Sequence, residues 1–286
     1  MNSPLIRSFY DATTFTVTHV VADAQTKRAA IIDPVLDYDP KSGHTSALNA
    51  SLVAGWVKEE GFTVDWLLET HCHADHLSAS AWLQRKLGGQ IGIGAQITEV
   101  QQVFKKLFNA EDMATDGRPF DKLFEDGEHF QIGNLDVEVL HTPGHTPACI
   151  SYKIGDDVFI GDTLFMPDYG SARCDFPGGD ARALYRSVQR LLALPAHTRL
   201  HLCHDYPPAS RPAVWVSTVG DQADHNVHAH RGIGEEEFVQ MRKSRDRSLA
   251  KPVLLLPAVQ VNVRAGHMPP AESNGLSYLK IPLNAI

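Results

Sequence analysis

The stretch Thr70-His71-Cys72-His73-Ala74-Asp75-His76 constrains this chain more than any other. It sets three histidines and an aspartate directly after the apolar run Val64-Asp65-Trp66-Leu67-Leu68. A strand that stops in a cluster of such side chains reads as the floor of a metal site. Imidazoles and a carboxylate suit zinc, iron and other first-row divalent metals. A polar, histidine-rich loop is the bland alternative, and only ligands elsewhere in the chain decide between the two.

At 286 residues the chain lies near the upper limit for one continuous core. One elaborated domain over residues 1–286 is expected. The formal net charge of -8 argues against a general nucleic-acid or membrane-surface binder, while leaving room for a local basic pocket. Met1 to Tyr10 has neither the basic nor the apolar region of a leader, and no apolar run is long enough to span a bilayer. Four cysteines are too few for a disulfide framework, so a reducing cytoplasm is expected. Cys72, Cys149, Cys174 and Cys203 are read as buried, inert thiols in preference to a redox set.

Ile6 to Tyr10, Phe15 to Val21 and Arg28 to Ile32 read as strands, the last ended by Asp33-Pro34. Asp37 to Gly43 reads as a loop. Leu48, Leu52, Val53, Trp56 and Val57 recur at helical spacing up to Gly61, and Ala79, Trp82, Leu83 and Leu87 repeat the pattern, with Asp75 standing where an N-cap would. Ile91 to Ile93 is a brief strand, Val100 to Phe108 a helix, and Asn109 to Pro119 a polar surface excursion.

Leu135, Val137 and Val139 alternate with acidic residues and lead to His141-Thr142-Pro143-Gly144-His145. His141 continues the inward face and is read as a core histidine; His145 lies beyond the turn, where it can be aimed at a site. Cys149 to Ile154 and Val158 to Ile160 form a hairpin ending in Gly161-Asp162. A helix follows through Leu184, Val188, Leu191 and Leu192, and then a strand, Arg199 to Cys203, ends at His204-Asp205. Ligand candidates therefore sit at strand ends in both halves, as in a sheet-rich core with helices on its outer faces. The tract Asp224 to His230 is read as a loop before a helix near Glu235, because histidines without a cysteine or carboxylate framework are a weak metal signal.

His71-Cys72-His73-Ala74-Asp75-His76, Pro143-Gly144-His145, Gly161-Asp162 and Cys203-His204-Asp205 together resemble the motif series of the metallo-β-lactamase superfamily. The resemblance implies an α+β fold: a four-layer αββα sandwich of two mixed β-sheets flanked by helices. Within the superfamily the chain is most similar to the persulfide dioxygenase branch, through Gly161-Asp162-Thr163-Leu164, Ala172-Arg173-Cys174-Asp175-Phe176, Leu184-Tyr185-Arg186-Ser187-Val188, Cys203-His204-Asp205-Tyr206 and Val216-Ser217-Thr218-Val219 followed by Asn226. That similarity is traced to about Lys251, with Leu107 to Phe120 an insertion and Pro252 to Ile286 a C-terminal extension packed on the domain.

The branch implies one Fe(II) per chain, held by His71, His145 and Asp162 as a 2-His-1-carboxylate triad, which are then also the catalytic residues. It implies oxidation of the terminal sulfur of glutathione persulfide by O₂ to sulfite, with glutathione released, in hydrogen sulfide metabolism. His73, Asp75, His76 and His204 become surrounding groups, and Arg173 is expected to pair with Asp75 and so repel a second cation. Arg173, Tyr206, Arg211 and Lys243 are the candidates for contacting glutathione.

The alternative is a hydroxyacylglutathione (thioester) hydrolase resembling glyoxalase II, with two zinc ions or a mixed zinc/iron pair. His71, His73 and His145 would hold one metal, Asp75, His76 and His204 the other, with Asp162 as the bridge. A metal-binding, non-catalytic member is a third reading. No nucleic-acid or membrane partner is expected, and a homodimer is left open.

Overall fold

A computed structural model describes residues 3–285. The first half runs β1 (Leu5–Asp11), β2 (Thr16–Asp23), β3 (Arg28–Ile32), β4 (Val35–Asp39), β5 (His44–Ser46), α1 (Leu48–Glu59), β6 (Thr63–Leu68), β7 (Leu77–Ser78), α2 (Ser80–Leu87), β8 (Gln90–Gly94), α3 (Ile97–Phe108) and β9 (Lys122–Phe124). The second half runs β10 (His129–Ile132), β11 (Leu135–His141), β12 (Ile150–Ile154), β13 (Asp157–Phe159), α4 (Ala181–Leu192), β14 (Arg199–His201), β15 (Val216–Thr218), α5 (Val219–His225), α6 (Glu235–Asp246) and α7 (Leu255–Asn262). Two six-stranded sheets result, ordered β1-β2-β3-β6-β8-β9 and β10-β11-β12-β13-β14-β15, with a small sheet β5-β4-β7 beside them. Both large sheets are mixed: β3, β6, β8 and β9 run parallel, as do β13 and β14.

The layers follow from the two-residue period of the strands. In β2, β3 and β6 one side chain of each pair, Val21, Ile32 and Leu68, enters a core shared with Val137, Val139, Ile150 and Tyr152 of the second sheet. Their neighbours Val20, Ile31 and Leu67 point the other way, into a core filled by Val53 and Val57 of α1, Leu83 of α2, Phe104 of α3 and Val259 of α7. On the far side, Val158 and Leu200 meet Leu184 and Val188 of α4 and Phe238 of α6. Strands covered on both faces have no room for polar alternation, which is why all eight residues of β2 are buried. The order of layers is helices, sheet, sheet, helices, as expected for the αββα sandwich.

Four expectations are corrected. The stretch Asp37 to Gly43 is no simple loop, because β4 and β5 pair across it. In α1 the buried stripe is Ala50, Val53, Ala54 and Val57, while Leu48 and Leu52 are exposed. Asp75 caps no helix: β7 intervenes, and the N-cap of α2 is Ala79, with no side-chain cap bond. The 109–119 excursion is packed: Met113 and Phe120 are buried with the helices, Lys105 Nζ donates to the carbonyls of Glu111 and Met113, and Arg264 pairs with Asp112. The extension from Pro252 docks through α7, and its last residue, Ile286, lies outside the described residues.

Candidate metal centre

The carboxyl ends of the parallel strands converge at one edge of the sandwich, and the loops leaving them carry the chemistry. Asp33 follows β3, His71 to His76 follow β6, Asp162 follows β13 and His204 follows β14. Asp33 takes a left-handed backbone, φ +51°, which turns its carboxylate back under the loop after β6. There it accepts from Thr70 N (2.8 Å), Thr70 Oγ1 (2.9 Å) and His73 Nε2 (2.9 Å). Burial works to raise the Asp33 carboxyl, but His73 and Thr70 override it and hold it below the usual range.

Each histidine of the cluster has its outer nitrogen committed, which fixes where the inner lone pair points. Thr70 Oγ1 gives its proton to Asp33 and so accepts from His71 Nδ1 (3.0 Å). His76 Nδ1 donates to the Leu77 carbonyl (3.1 Å), His145 Nδ1 to the Arg173 carbonyl (2.8 Å) and His204 Nδ1 to the Phe15 carbonyl (3.2 Å). The opposite atoms, His71 Nε2, His73 Nδ1, His76 Nε2 and His204 Nε2, are buried without a partner, as is Asp162 Oδ1. Buried polar atoms are rarely left unpaired, so five of them facing one another demand a guest. Neutral imidazoles oriented by a backbone carbonyl or a carboxylate are the usual form of metal-ligating histidine. Burial first, then the neighbouring imidazoles, keeps His71 well below the ordinary histidine value, so its ring is neutral. The residues present fit a divalent metal.

Several groupings of donors share the space. His71, His145 and Asp162 bring their donor atoms within 4.8 Å of one another, with Asp162 Oδ2 3.6 Å from His145 Nε2 and 3.9 Å from His71 Nε2. His73, Asp75 and His76 form a second group, and His73 with Cys203 and His204 a third. Asp75 Oδ2 lies 3.3 Å from His204 Nε2. Burial would raise the Asp75 carboxyl, yet His204, His76 and His73 hold it down to about 2.

Asp75 is not paired with Arg173, as the sequence suggested. The Arg173 guanidinium forks onto Asp175, at 2.6 and 2.8 Å, and donates to the Ala250 carbonyl. A carboxylate two residues away is the nearer partner for a bidentate guanidinium. Of the four glutathione candidates, Arg173 and Tyr206 line the adjoining cavity of about 530 Å³. Arg211 and Lys243 are not among the lining residues. Arg211 is held in two ion pairs, to Asp205 and Asp168, and Lys243 is exposed on α6. Part of the cavity wall is aromatic, from Phe15, Tyr38, Phe165, Tyr169, Phe176 and Tyr206, with Tyr206 stacked on His204 and Tyr169.

Sequence reasoning passed over Asp33, Glu69 and Asn262. Asp33 was visible only as a strand stop. Glu69 is buried, accepts from Ser78 and Ser80, and lies 3.6 Å from His73 Nε2. Asn262 of α7 donates to the carbonyls of His73 and His76 and accepts from Ser78 N, each at 2.8 Å. His141 is half-buried rather than a core residue and donates to the Pro147 carbonyl. In the 224–230 tract His228 accepts from Ser171 N, and no metal grouping occurs there among the described residues. All four cysteines are free and buried, and burial pushes the Cys149 thiol up to about 12, in line with inert thiols.

Gly144 lets the Pro143-Gly144-His145 turn lie against α4. Its φ is +138°, and an added Cβ would stand 2.3 Å from Leu184 N. Gly144→Ala is expected to cost about 2–3 kcal/mol, combining strain and a backbone clash. A thermal midpoint within a degree of wild type would refute that.

The family model described as the Metallo-beta-lactamase superfamily matches residues 13–204. A Burkholderia pseudomallei protein named as a metallo-hydrolase is 51% identical over 98% of this chain and 99% of its own length. The Agrobacterium fabrum "Beta-lactamase hydrolase-like protein" is 49% identical, and this chain spans 65% of that protein's length. "Persulfide dioxygenase ETHE1, mitochondrial" of Bos taurus is 31% identical over 93% of this chain and 90% of its own. The crystal structure of ETHE1 from Myxococcus xanthus superposes with a TM-score of 0.73 at 30% identity, over 92% of this chain and all of that one. Four layers, the ligand loops at one sheet edge and these relatives agree: the chain belongs to the metallo-β-lactamase superfamily, with persulfide dioxygenases of the ETHE1 type among its relatives.

Proposed function

We propose that this chain is a persulfide dioxygenase, holding one ferrous ion through His71, His145 and Asp162. The observation that carries the reading is the partition of the donors. Those three converge as a compact 2-His-1-carboxylate set, while Asp75 stands outside it, 3.3 Å from His204 Nε2, which also lies 3.5 Å from Asp162 Oδ1. The similarity to ETHE1-type proteins supports the same reading; the relatives named as hydrolases support the alternative.

The reaction is persulfide, O₂ and water giving glutathione, sulfite and two protons: the S–S bond breaks and three oxygens end on the terminal sulfur. Bound iron would supply the O₂ activation that no side chain can. The protein's part is orientation and shelter. Thr70 and Asp33 fix the His71 ring, and the Arg173 carbonyl fixes His145. The aromatic wall gives a soft, apolar berth for sulfur and limits water. Burial first, then Asp75 and Asp162, holds the Tyr206 phenol well above its ordinary value, so it keeps its proton as a donor toward the persulfide. Glutathione occupies the cavity with its sulfur toward the metal, and the protein works in the cytoplasm; among the described residues no helix is long and apolar enough to cross a membrane.

The test is to purify the protein anaerobically, count metals per chain, and follow O₂ uptake with glutathione persulfide beside hydrolysis of a glutathione thioester. One iron with one O₂ consumed per persulfide is expected. Two metals with thioester turnover would overturn the reading in favour of the hydrolase.

A further inference from the structure

From Asp162 to Arg173, whose carbonyl orients His145, the chain belongs to neither helix nor sheet strand. The backbone groups of a buried stretch of that kind must find partners elsewhere. Residues beyond 225 supply them. Asn226 Nδ2 donates to the Gly170 carbonyl (3.1 Å). His228 Nδ1 accepts from Ser171 N (2.9 Å), and its ring fills the place that a Cβ on Gly170, φ +103°, would take. Arg242 of α6 donates through Nη1 to the Ser171 carbonyl (3.0 Å). Its Nε and Nη2 both go to Asp246 Oδ1, at 2.9 and 2.6 Å, which leaves Asp246 Oδ2 to accept from Cys174 N (2.9 Å).

The buried stripe of α6 shows what this arrangement replaces. Phe238, Arg242 and Asp246 follow one another at four-residue spacing on one face of the helix. Phe238 enters the apolar core beside α4, whereas the next two turns meet loop backbone and carry an ion pair, Arg242 being 1% exposed and Asp246 6%. A buried ion pair is weak evidence for stability, since apolar residues of similar volume often hold a fold as well. This one spends its remaining bonds on the two ends of a single four-residue segment. Burial first, then Arg242 and Arg245, holds His228 down to about 4, so its ring is neutral and Nδ1 is free to accept. The histidine tract that holds no metal grouping thus has a task.

We infer that Arg242, Asp246 and His228 are positioning residues for the metal centre: they fix the Ser171–Cys174 backbone, and through the Arg173 carbonyl they set the angle of the His145 ring. His145 Nδ1 donates to that carbonyl at 2.8 Å. A carbonyl set loose would let the ring swing and turn Nε2 away from His71 and Asp162, as for other groups that orient a ligand from behind. His145 binds metal in both the one-iron and the two-metal readings, so the inference is independent of which reaction follows.

The experiment strips the protein of metal with a chelator and titrates it with cobalt(II), whose visible spectrum reports ligand geometry. Four variants are compared with wild type. His228→Ala removes the acceptor, and His228→Asn keeps one near the place of Nδ1. Arg242→Met combined with Asp246→Leu removes the clamp without leaving an unpaired buried charge. Val57→Ala truncates the core under α1, in the opposite helical layer. His228→Ala and the double variant are expected to bind cobalt(II) about tenfold to a hundredfold more weakly, with a shifted spectrum. His228→Asn should recover most of the affinity and the wild-type spectrum. Val57→Ala should lower the melting temperature and leave cobalt(II) binding unchanged. Wild-type affinity and spectrum in either His228→Ala or the double variant overturn the inference. A Val57→Ala protein that loses cobalt(II) affinity to the same degree also overturns it, since the effect would then be a general loss of stability.

Discussion

Asp162→Asn is expected to empty the metal centre without harming the fold. In the wild type, Asp162 brings the only formal negative charge to the triad; its Oδ2 faces His71 and His145, and its Oδ1 is buried without a partner. The amide removes that charge and sets either an NH₂ or a neutral oxygen against the metal. Metal content should fall from one per chain to below about a tenth, and persulfide turnover by roughly a thousandfold or more, the scale of a lost electrostatic centre. The metal-free protein, by contrast, should melt no lower than wild type, because a buried carboxylate with an unsatisfied oxygen is a cost to the apo fold. A variant that keeps its metal, or that loses apo stability in proportion to activity, would show Asp162 to be structural. Asp75→Asn is the companion. With one iron per chain it should leave stoichiometry at one, whereas a binuclear centre should lose its second ion.

The second large effect is expected at Asn262, far from the cluster in sequence. Its side chain satisfies three buried backbone groups at once, the carbonyls of His73 and His76 and the N–H of Ser78. Asn262→Ala strands all three, at about 1–3 kcal/mol each before relaxation, so a loss of roughly 3–5 kcal/mol is expected. Metal affinity should fall about 10–100-fold, as for other groups that orient ligands from behind. Asn262→Asp separates loss of shape from loss of bonding. It keeps the size and the acceptor for Ser78 but turns a carboxylate oxygen toward two carbonyls, and it should be at least as damaging as alanine. Chemical denaturation with metal titration measures both effects. A mild Asn262→Asp would mean that the pocket needs only filling.

What the sequence disclosed, and what it withheld, divides along physical lines. Apolar, β-branched runs placed β2, β3 and β6, which are largely buried, and alternation placed β11, where Leu135, Val137 and Val139 are buried and Asp136 is exposed. The metal donors were legible because imidazoles and carboxylates at strand ends have few other reasons to cluster. Partnerships were not legible. Arg173 finds Asp175 two residues away instead of Asp75, and nothing in residue types separates a fork closed locally from one aimed across a site. Leu48 and Leu52 fit a helical stripe, yet α1 is rotated so that Ala50 and Val53 face the sheet, the small residue allowing closer approach. Asn262 left no trace, since a lone asparagine near the end of an apolar helix looks like any other.

The bonds from Asn262 span 189 and 186 positions, from the last helix back to the loop after β6. During synthesis His73 and His76 leave the ribosome long before the residue that closes their loop. Contacts of such separation form late, after most of the loop-closure entropy has been spent. The centre is therefore expected to mature at the end of folding, with metal entering a finished cup; apo protein refolded from denaturant should then regain its native spectrum without metal and bind metal afterwards. Chain made without its metal is then expected to accumulate as folded, refillable protein in place of misfolded chain.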